Sequence, residues 1–501
     1  MKFVADLHLH SKYSRAVSQQ MTLENIERWA RYKGITVVAT ADFTHPFWLD
    51  RLKNELEETS VGLYKLKSQL NAAVSDSTKE VLFLLSCEIS SIYTQSGKGR
   101  RIHNLFFFPK LSSVEKFNLQ LIKKGANLRS DGRPIVGLSA RDLAEIALNI
   151  DQKALVIPAH AWTPWFSVFG AFSGFDSLEE CFGDMNKYIY AIETGLSSDP
   201  SMNWRIRELE NRSLVSFSDA HSLEKMGREA TVFEAEEVSY ENIYKAIAGP
   251  VSSFLPAFAK VSDPEAQTRR ASADKPASDD SAAVSLEAKR SGIGNPSTTA
   301  TPKLSNYPKI VFTIEFYPEE GKYHYTGHRD CNVSLSPEET AKKGEICPVC
   351  GKTLTIGVIH RVEELAQSPQ ETEAKFENDL RWVLPKGGAK PAYVSVVPLM
   401  EILAEAIGSA SQTKKVQDVY FTLINNLGSE FNVLLKEDLD KIARLSGPRV
   451  AEGINRVRTA NIIVEPGYDG KFGVVKIWPD IKNTISSQED QQESQLTLFA
   501  Q

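Results

Sequence analysis

The chain has no stretch near the roughly 18–20 consecutive apolar residues that a membrane span needs, and no positively charged segment leading into an apolar one opens it. A membrane partner is therefore not expected, and the location expected is cytoplasmic. Cysteine is scarce, five in 501 residues, which is too few for a disulfide scaffold. With 29 glycines and 23 prolines the composition is neither collagenous nor low-complexity throughout. Positive charge is not in excess: 58 Lys and Arg stand against 64 Asp and Glu, a net charge of −6, so no global field marks a nucleic-acid partner, although local basic patches are compatible with that total. Histidine is also rare, nine residues in all, which makes its placement informative.

Hydrophobic residues make up 42% of the chain, enough for a sizeable core, and the length predicts about three folded units. Residues 1–258 alternate short β-branched runs with helical patterns. Strands are expected at 3–10, 35–42, 81–90, 102–108, 154–160, 189–194 and 214–221. That rhythm argues for an α/β layer or barrel with parallel strands. Residues 259–306 turn to Ala, Ser, Asp, Pro and Thr and read as a flexible linker. A small knuckle region is expected over 307–375, a mainly α-helical region over 376–484, and a disordered tail over 485–501.

Five of the nine histidines, His8, His10, His45, His160 and His221, fall at or just past the C-terminal ends of expected strands, and His103 opens another. In Asp6-Leu7-His8-Leu9-His10 and Asp219-Ala220-His221 the polar residues stand two apart, so on an extended backbone they share one side. Glu88 and Asp42 end their own runs and place two carboxylates at the same rim, where the active sites of parallel α/β barrels lie. Any one of these histidines could be a hydrogen-bonded core residue. As a set, imidazoles and carboxylates converge usefully around metal ions, because buried without partners they would cost several kcal/mol each. Zn²⁺, Mn²⁺ and Fe all accept such ligands. Glu193 stands at another strand end, with its role open between a substrate-side group and a structural carboxylate.

This pattern, Asp6-Leu7-His8-Leu9-His10 followed by Asp42-Phe43-Thr44-His45, Glu88, His103, His160 and Asp219-Ala220-His221, resembles the polymerase-and-histidinol-phosphatase (PHP) family. The resemblance covers about half the chain and implies a distorted (β/α)7 barrel with a two- or three-metal site that hydrolyses phosphoesters. It differs in two places: family members commonly carry Asp-His as a dipeptide and a further His soon after the first motif, whereas here Asp42 and His45 are separated and residues 11–20 hold no His. Carried over position by position, the resemblance makes His8, His10, Asp42, His45, Glu88, His103, His160, Asp219 and His221 the metal set. Within it Glu88 bridges, His8, His10 and Asp219 hold one ion, and His103 and His160 hold another. Glu88, His103, Asp219 and His221 are the catalytic candidates, and Asp6 is expected to orient a ligating histidine from behind. Adjacent divalent ions activate water and clamp the oxygens of a phosphodiester.

Further along, His328-x2-Cys331-x15-Cys347-x2-Cys350 has the spacing of a structural zinc site, with His324 the rival for His328 as fourth ligand. Ser336-Pro337-Glu338-Glu339 predicts a short helix between the ligand pairs. Basic residues near and beyond the knuckle, Arg329, Lys352, Lys386 and Arg449, are the DNA-contact candidates. Residues 445–454 loosely resemble a DNA-binding hairpin between helices. Trp162, Trp165 and Phe166 follow His160 and could stack an extruded base, or else pack the loop.

The order of all these parts, including the segment from Thr313 to Tyr325 that contains Tyr317-Pro318-Glu319-Glu320-Gly321, is similar to that of the endonuclease Q family, a DNA-repair branch. The resemblance spans nearly the whole chain except the linker. It implies hydrolysis of the phosphodiester 5′ to deaminated bases (uracil, hypoxanthine, xanthine) or abasic sites, with Zn²⁺ in the knuckle and Zn²⁺, Mg²⁺ or Mn²⁺ in the phosphoesterase centre. Damaged DNA is the partner implied, and association with the nucleoid follows. The terminal Gln495-Leu496-Thr497-Leu498-Phe499 is similar to the peptide by which bacterial proteins dock on the replication sliding clamp. The alternatives are a small-molecule phosphatase of the histidinol-phosphatase type, which leaves the knuckle and helical region without a purpose, and a non-catalytic DNA or clamp adaptor.

Overall fold

A computed structural model of the chain describes residues 1–59, 61–67, 80–249, 307–369, 371–387 and 390–479. The expected linker and the clamp-type peptide, with Gln495, Leu496, Leu498 and Phe499, lie outside the described residues. Each expected N-terminal strand falls on an observed one: Lys2–Asp6, Val37–Ala39, Leu82–Gln95, Lys98–Phe108, Leu155–Pro158, Ala191–Glu193 and Ser213–Val215. Val37–Ala39 and Leu155–Pro158 are buried along their whole length, as strands covered on both faces must be. The flanking helices bury one stripe each. Leu23–Lys33 turns Leu23, Ile26 and Ala30 inward and stops where Gly34 takes a left-handed φ of 89°. Ala140–Ile150 begins at Ser139, whose side chain accepts from the Asp142 backbone N–H.

The sheet is mixed, which corrects the expectation of parallel strands throughout. Lys2–Asp6, Val37–Ala39 and Leu82–Gln95 run parallel. Lys98–Phe108 is antiparallel to Leu82–Gln95, and Leu155–Pro158 is antiparallel to Lys98–Phe108. The cause is local: Ser96 (φ 53°) and Gly97 (φ 75°) form a two-residue turn of the kind that closes hairpins, so no crossover helix intervenes.

The same sheet continues in the residues described from 307 onward. Ala230–Glu234 pairs antiparallel with Lys309–Glu315, which pairs parallel with Ala392–Ser395. With Thr372–Glu377 and Leu380–Pro385 this makes a 13-stranded sheet. The helical region expected from residue 376 therefore begins only at Leu399. Its helices, Leu399–Ile407, Lys414–Leu427, Glu430–Leu435, Leu439–Ser446 and Pro448–Arg458, gather around Ile402, Leu403, Leu423, Ile442 and Ile454. The architecture is thus mixed α/β with a large central sheet and a helical C-terminal region. Among the described residues no helix is long and apolar enough to cross a membrane.

Candidate metal centre

The two motifs that are furthest apart in sequence lie side by side. Leu9 and Ala220 form a parallel bridge and His10 N–H donates to the Ala220 carbonyl at 3.1 Å, so the 6–10 and 219–221 segments open onto one mouth. The other contributors follow strand ends. Asp42, His160 and Asp219 take left-handed φ values of 38°, 31° and 45°. Such conformations are costly for non-glycine residues, and their clustering just beyond strand ends is typical of functional sites.

Three groups of candidate ligands result, each with its atoms within 4.8 Å of one another: His8, His10 and Glu88; His10, Asp219 and His221; and Glu88, His103 and His160. Glu88 links two groups. Its Oε1 is 2.6 Å from His103 Nδ1 and 3.1 Å from His160 Nε2, while Oε2 is 3.2 Å from His10 Nε2 and 3.6 Å from His8 Nε2. Asp219 Oδ1 stands 3.1 Å from His10 Nε2 and 3.6 Å from His8 Nε2. His8 Nε2, His10 Nε2 and Asp219 Oδ1 are nevertheless buried without a properly formed hydrogen bond. Orphaned lone pairs of this kind, converging from nitrogen and oxygen donors, fit divalent cations.

The carboxylates behind the cluster are not all the expected ones. Glu193, buried at the end of Ala191–Glu193, meets His8 Nδ1 at 2.9 Å and accepts from the His160 backbone N–H at 2.7 Å. It, and not Asp6, orients a histidine. Asp6 instead accepts from Ser218 N–H, Ser218 Oγ and Gly227 N–H, tying the first strand to the 218–227 loop. Asp42 belongs to none of the three ligand groups. Its Oδ1 lies 3.3 Å from His10 Nδ1, and its Oδ2 accepts from Ser11 and Ser14, so it orients His10 from behind. His45 also lies outside the groups: as the residue before Pro46 its backbone is extended, and its ring stacks on Tyr13 at 4.5 Å.

Sequence reasoning missed Arg133, whose guanidinium reaches Glu88 Oε2 at 3.2 Å. The sequence offered only the turn-type pair Asp131-Gly132 before it; in the structure a Cβ on Gly132 would lie 2.3 Å from Asp42 Oδ2. Electrostatics follow from this crowding. Burial raises the Glu88 carboxyl, but His103 and Arg133 hold it well below the usual range. Burial opposes charge on His8, yet Glu193 and Asp219 raise it well above its ordinary value. Asp219 is held down against burial by His8 and His10. The mouth thus keeps ionised carboxylates in a buried setting.

His328, Cys331, Cys347 and Cys350 form a fourth group of converging ligand atoms, with Cys350 Sγ 3.5 Å from His328 Nδ1. His324 is elsewhere, buried and stacked against Tyr325, so it does not compete for that cluster. The short helix is present as Pro337–Lys343, capped reciprocally by Ser336 and Glu339. Of the basic candidates, Arg329, Lys352 and Lys386 are exposed. Arg449 is occupied: it lies 4.3 Å over the Trp478 ring and donates to the Ala406 carbonyl. Trp162 is a core residue, 1% exposed, with its indole N–H on Asn203 Oδ1. Trp165 and Phe166 differ from it. They line a cleft of about 350 Å³ with Arg101, Thr163, Pro164 and Tyr323, and Phe166 rests on His103 at 4.9 Å.

The fold and this cluster define a mixed α/β protein with a candidate multinuclear metal site where strand ends meet. Residues 398–461 match the family described as the MJ0043 C-terminal domain. The chain is 29% identical over 327 residues to the uncharacterized protein MJ0043 of Methanocaldococcus jannaschii, a match covering 64% of this chain and 32% of that protein, so it spans about a third of that relative. It is 26% identical to the uncharacterized protein YqxK of Bacillus subtilis over 95% of this chain and 99% of that one. Among solved structures it is similar to the lesion-specific endonuclease PfuEndoQ from Pyrococcus furiosus, with a TM-score of 0.71, 28% identity, and coverage of 97% and 99%. It is similar in the same degree to endonuclease Q in complex with a 27-mer duplex bearing an abasic lesion at the active site, with a TM-score of 0.70, 28% identity, and coverage of 96% and 100%. The chain is an endonuclease Q-type protein.

Proposed function

We propose that this protein is a DNA-repair endonuclease that hydrolyses the phosphodiester 5′ to deaminated bases (uracil, hypoxanthine, xanthine) or abasic sites at a multinuclear metal centre in a PHP-type barrel. The observation that carries the reading is the convergence of His8, His10, Glu88, His103, His160, Asp219 and His221 at one mouth, with buried nitrogens and an oxygen left unbonded. Its near full-length likeness to an enzyme solved on abasic DNA supports the substrate.

Zn²⁺, Mg²⁺ or Mn²⁺ held by these residues would supply an activated water and a clamp on the phosphodiester oxygens. The chain's own groups do the rest. Glu193 and Asp42 fix the rings of His8 and His10 so that Nε2 of each faces the mouth. Arg133, partly exposed beside Glu88, balances charge on the scissile phosphate. The cleft between Trp165, Phe166 and Tyr323 takes the unpaired base or the vacant sugar, with Arg101 at its edge. Arg329, Lys352 and Lys386 contact flanking phosphates, and the His328–Cys331–Cys347–Cys350 knuckle holds structural Zn²⁺. The peptide 495–499, with Gln495, Leu496, Leu498 and Phe499 as its anchors, docks on the replication sliding clamp.

Duplex DNA with a single deoxyuridine, deoxyinosine or abasic site is expected to be nicked on its 5′ side when Mg²⁺, Mn²⁺ or Zn²⁺ is added, and Asp219→Ala to abolish the nick. Equal cutting of undamaged duplex would refute the lesion claim. Deleting 495–499 is expected to weaken clamp binding while leaving nicking of short duplexes intact; unchanged clamp affinity would refute the docking assignment.

A further inference from the structure

A fifth group of converging ligand atoms lies away from both clusters. Glu345, two residues before Cys347, meets His360 and Glu364 of the helix Val358–Leu365, with one ligand atom from each within 4.8 Å of the others. His360 and Glu364 are four apart and therefore share a helix face. His360 Nδ1 is buried with no hydrogen-bond partner, and His360 Nε2 stands 3.7 Å from Glu364 Oε1, too far for a hydrogen bond. That spacing is close to the roughly 3.3–3.6 Å that separates two ligands each about 2.0–2.2 Å from a tetrahedral ion. Glu345 is exposed and offers the third ligand atom within 4.8 Å of the other two.

The arrangement is also braced. Glu364 Oε2 accepts from Arg361 Nη1 at 3.0 Å, which leaves Oε1 facing His360. The same guanidinium donates through Nε to the Phe169 carbonyl at 3.1 Å, through Nη2 to the Phe175 carbonyl at 3.3 Å, and to Asp176. A carboxylate oriented by a partner that is itself anchored is how metal ligands are held in place.

We propose that Glu345, His360 and Glu364 form a further divalent-cation site that clasps the cysteine knuckle to the helix Val358–Leu365. One imidazole and two carboxylates favour Zn²⁺ or another first-row ion that accepts nitrogen and oxygen donors. Because Arg361 ties that helix to the 169–176 loop, the ion holds the knuckle at a fixed distance from the aromatic cleft.

Calorimetric titration of the purified full chain with Zn²⁺ tests the site. The protein as purified is expected to take up one equivalent more than Glu345→Gln/His360→Gln, while mass spectrometry under native conditions finds the same tightly held metal in both. Equal uptake by the two proteins would overturn the proposal. So would loss of tightly held metal from the variant, because the change would then belong to the cysteine knuckle. Should the double variant fail to fold, Glu345→Gln, an exposed position, gives the same comparison.

Discussion

Single side chains decide how the metal mouth is held. Glu193 is wholly buried and bonds both His8 Nδ1 and the His160 backbone, so Glu193→Gln exchanges a charged acceptor for an amide at the point that fixes two ligand positions. Loss of such a supporting group typically costs about 10–100-fold in metal affinity. A loss in that range, measured by competition with a fluorescent chelator, is expected for Glu193→Gln, and an unchanged affinity would show that His8 is held without it. Gly132→Ala acts on the other side, since its Cβ would fall 2.3 Å from Asp42 Oδ2 and 2.4 Å from Ser14 Oγ. Overpacking of this kind costs about 1–3 kcal/mol and here would displace the group behind His10. A lower melting temperature together with reduced metal content is the expected outcome. The direct histidines were legible because His8, His10, His160 and His221 fall at or just past the ends of expected strands and His103 opens one. Their supports were not. Glu193 is 185 residues from His8, and both it and Asp6 end strands, so only the folded register could say which of them meets an imidazole.

At the scale of elements, the seam between Ala230–Glu234 and Lys309–Glu315 carries a titratable device. Glu315 Oε1 accepts from Ser216 Oγ at 2.5 Å, and Glu229, just before its strand, accepts from Phe316 N–H at 3.4 Å. Burial pushes Glu315 up to about 8 from an ordinary 4.5, and burial with Glu315 nearby raises Glu229 well above its ordinary value. Between 4.5 and about 8 the folded chain therefore keeps a proton on Glu315 that the unfolded chain has released. Unfolding stability falls with pH where the native state binds the extra proton, so the contribution of this group is full below 4.5 and is lost as pH rises through about 8. Denaturant midpoints measured from pH 5 to 9 should show a shallower decline for Glu315→Gln, which stays neutral throughout, than for the unaltered chain. Parallel slopes would remove Glu315 from the account. Ile310–Phe316 is an apolar, β-branched run in the sequence, but nothing there marks the place of Lys309–Glu315 in the sheet: its partners Ala230–Glu234 and Ala392–Ser395 lie on opposite sides of it in sequence, and short strands carry no mark of which neighbour they choose. The hairpins at Ser96-Gly97 and Asn378-Asp379 were connections that a turn signal could have revealed.

For the whole molecule the question is what makes the helical C-terminal region one body with the sheet that carries the site. The junction is polar at its centre. Lys33, the last residue of Leu23–Lys33, meets Glu430 Oε2 at 2.7 Å, with side chains only 2% and 4% exposed. Lys33 also donates to the Glu224 carbonyl, while Glu430 accepts from Tyr420 Oη and from the Leu399 backbone N–H. Apolar contact surrounds it, with Gly227 and Gly34 both close against the Phe431 ring and Gly34 against Ser429. Nothing in the sequence marks Lys33, one of 58 basic residues, as the partner of a glutamate some four hundred positions away. Removing one member of a buried pair strands the other, at about 3–5 kcal/mol. Lys33→Met strands the buried Glu430 carboxyl without its cationic partner and should lower unfolding free energy in that range. Lys33→Met/Glu430→Gln should recover much of it, because the neutral amide oxygen can still accept from Tyr420 or from the Leu399 N–H without a buried charge. If the pair only anchored a flexible appendage, Lys33→Met would melt the helices first and leave the sheet's transition in place. A single cooperative transition shifted to lower denaturant, followed by tryptophan fluorescence and far-ultraviolet circular dichroism together, is the outcome expected of one continuous body.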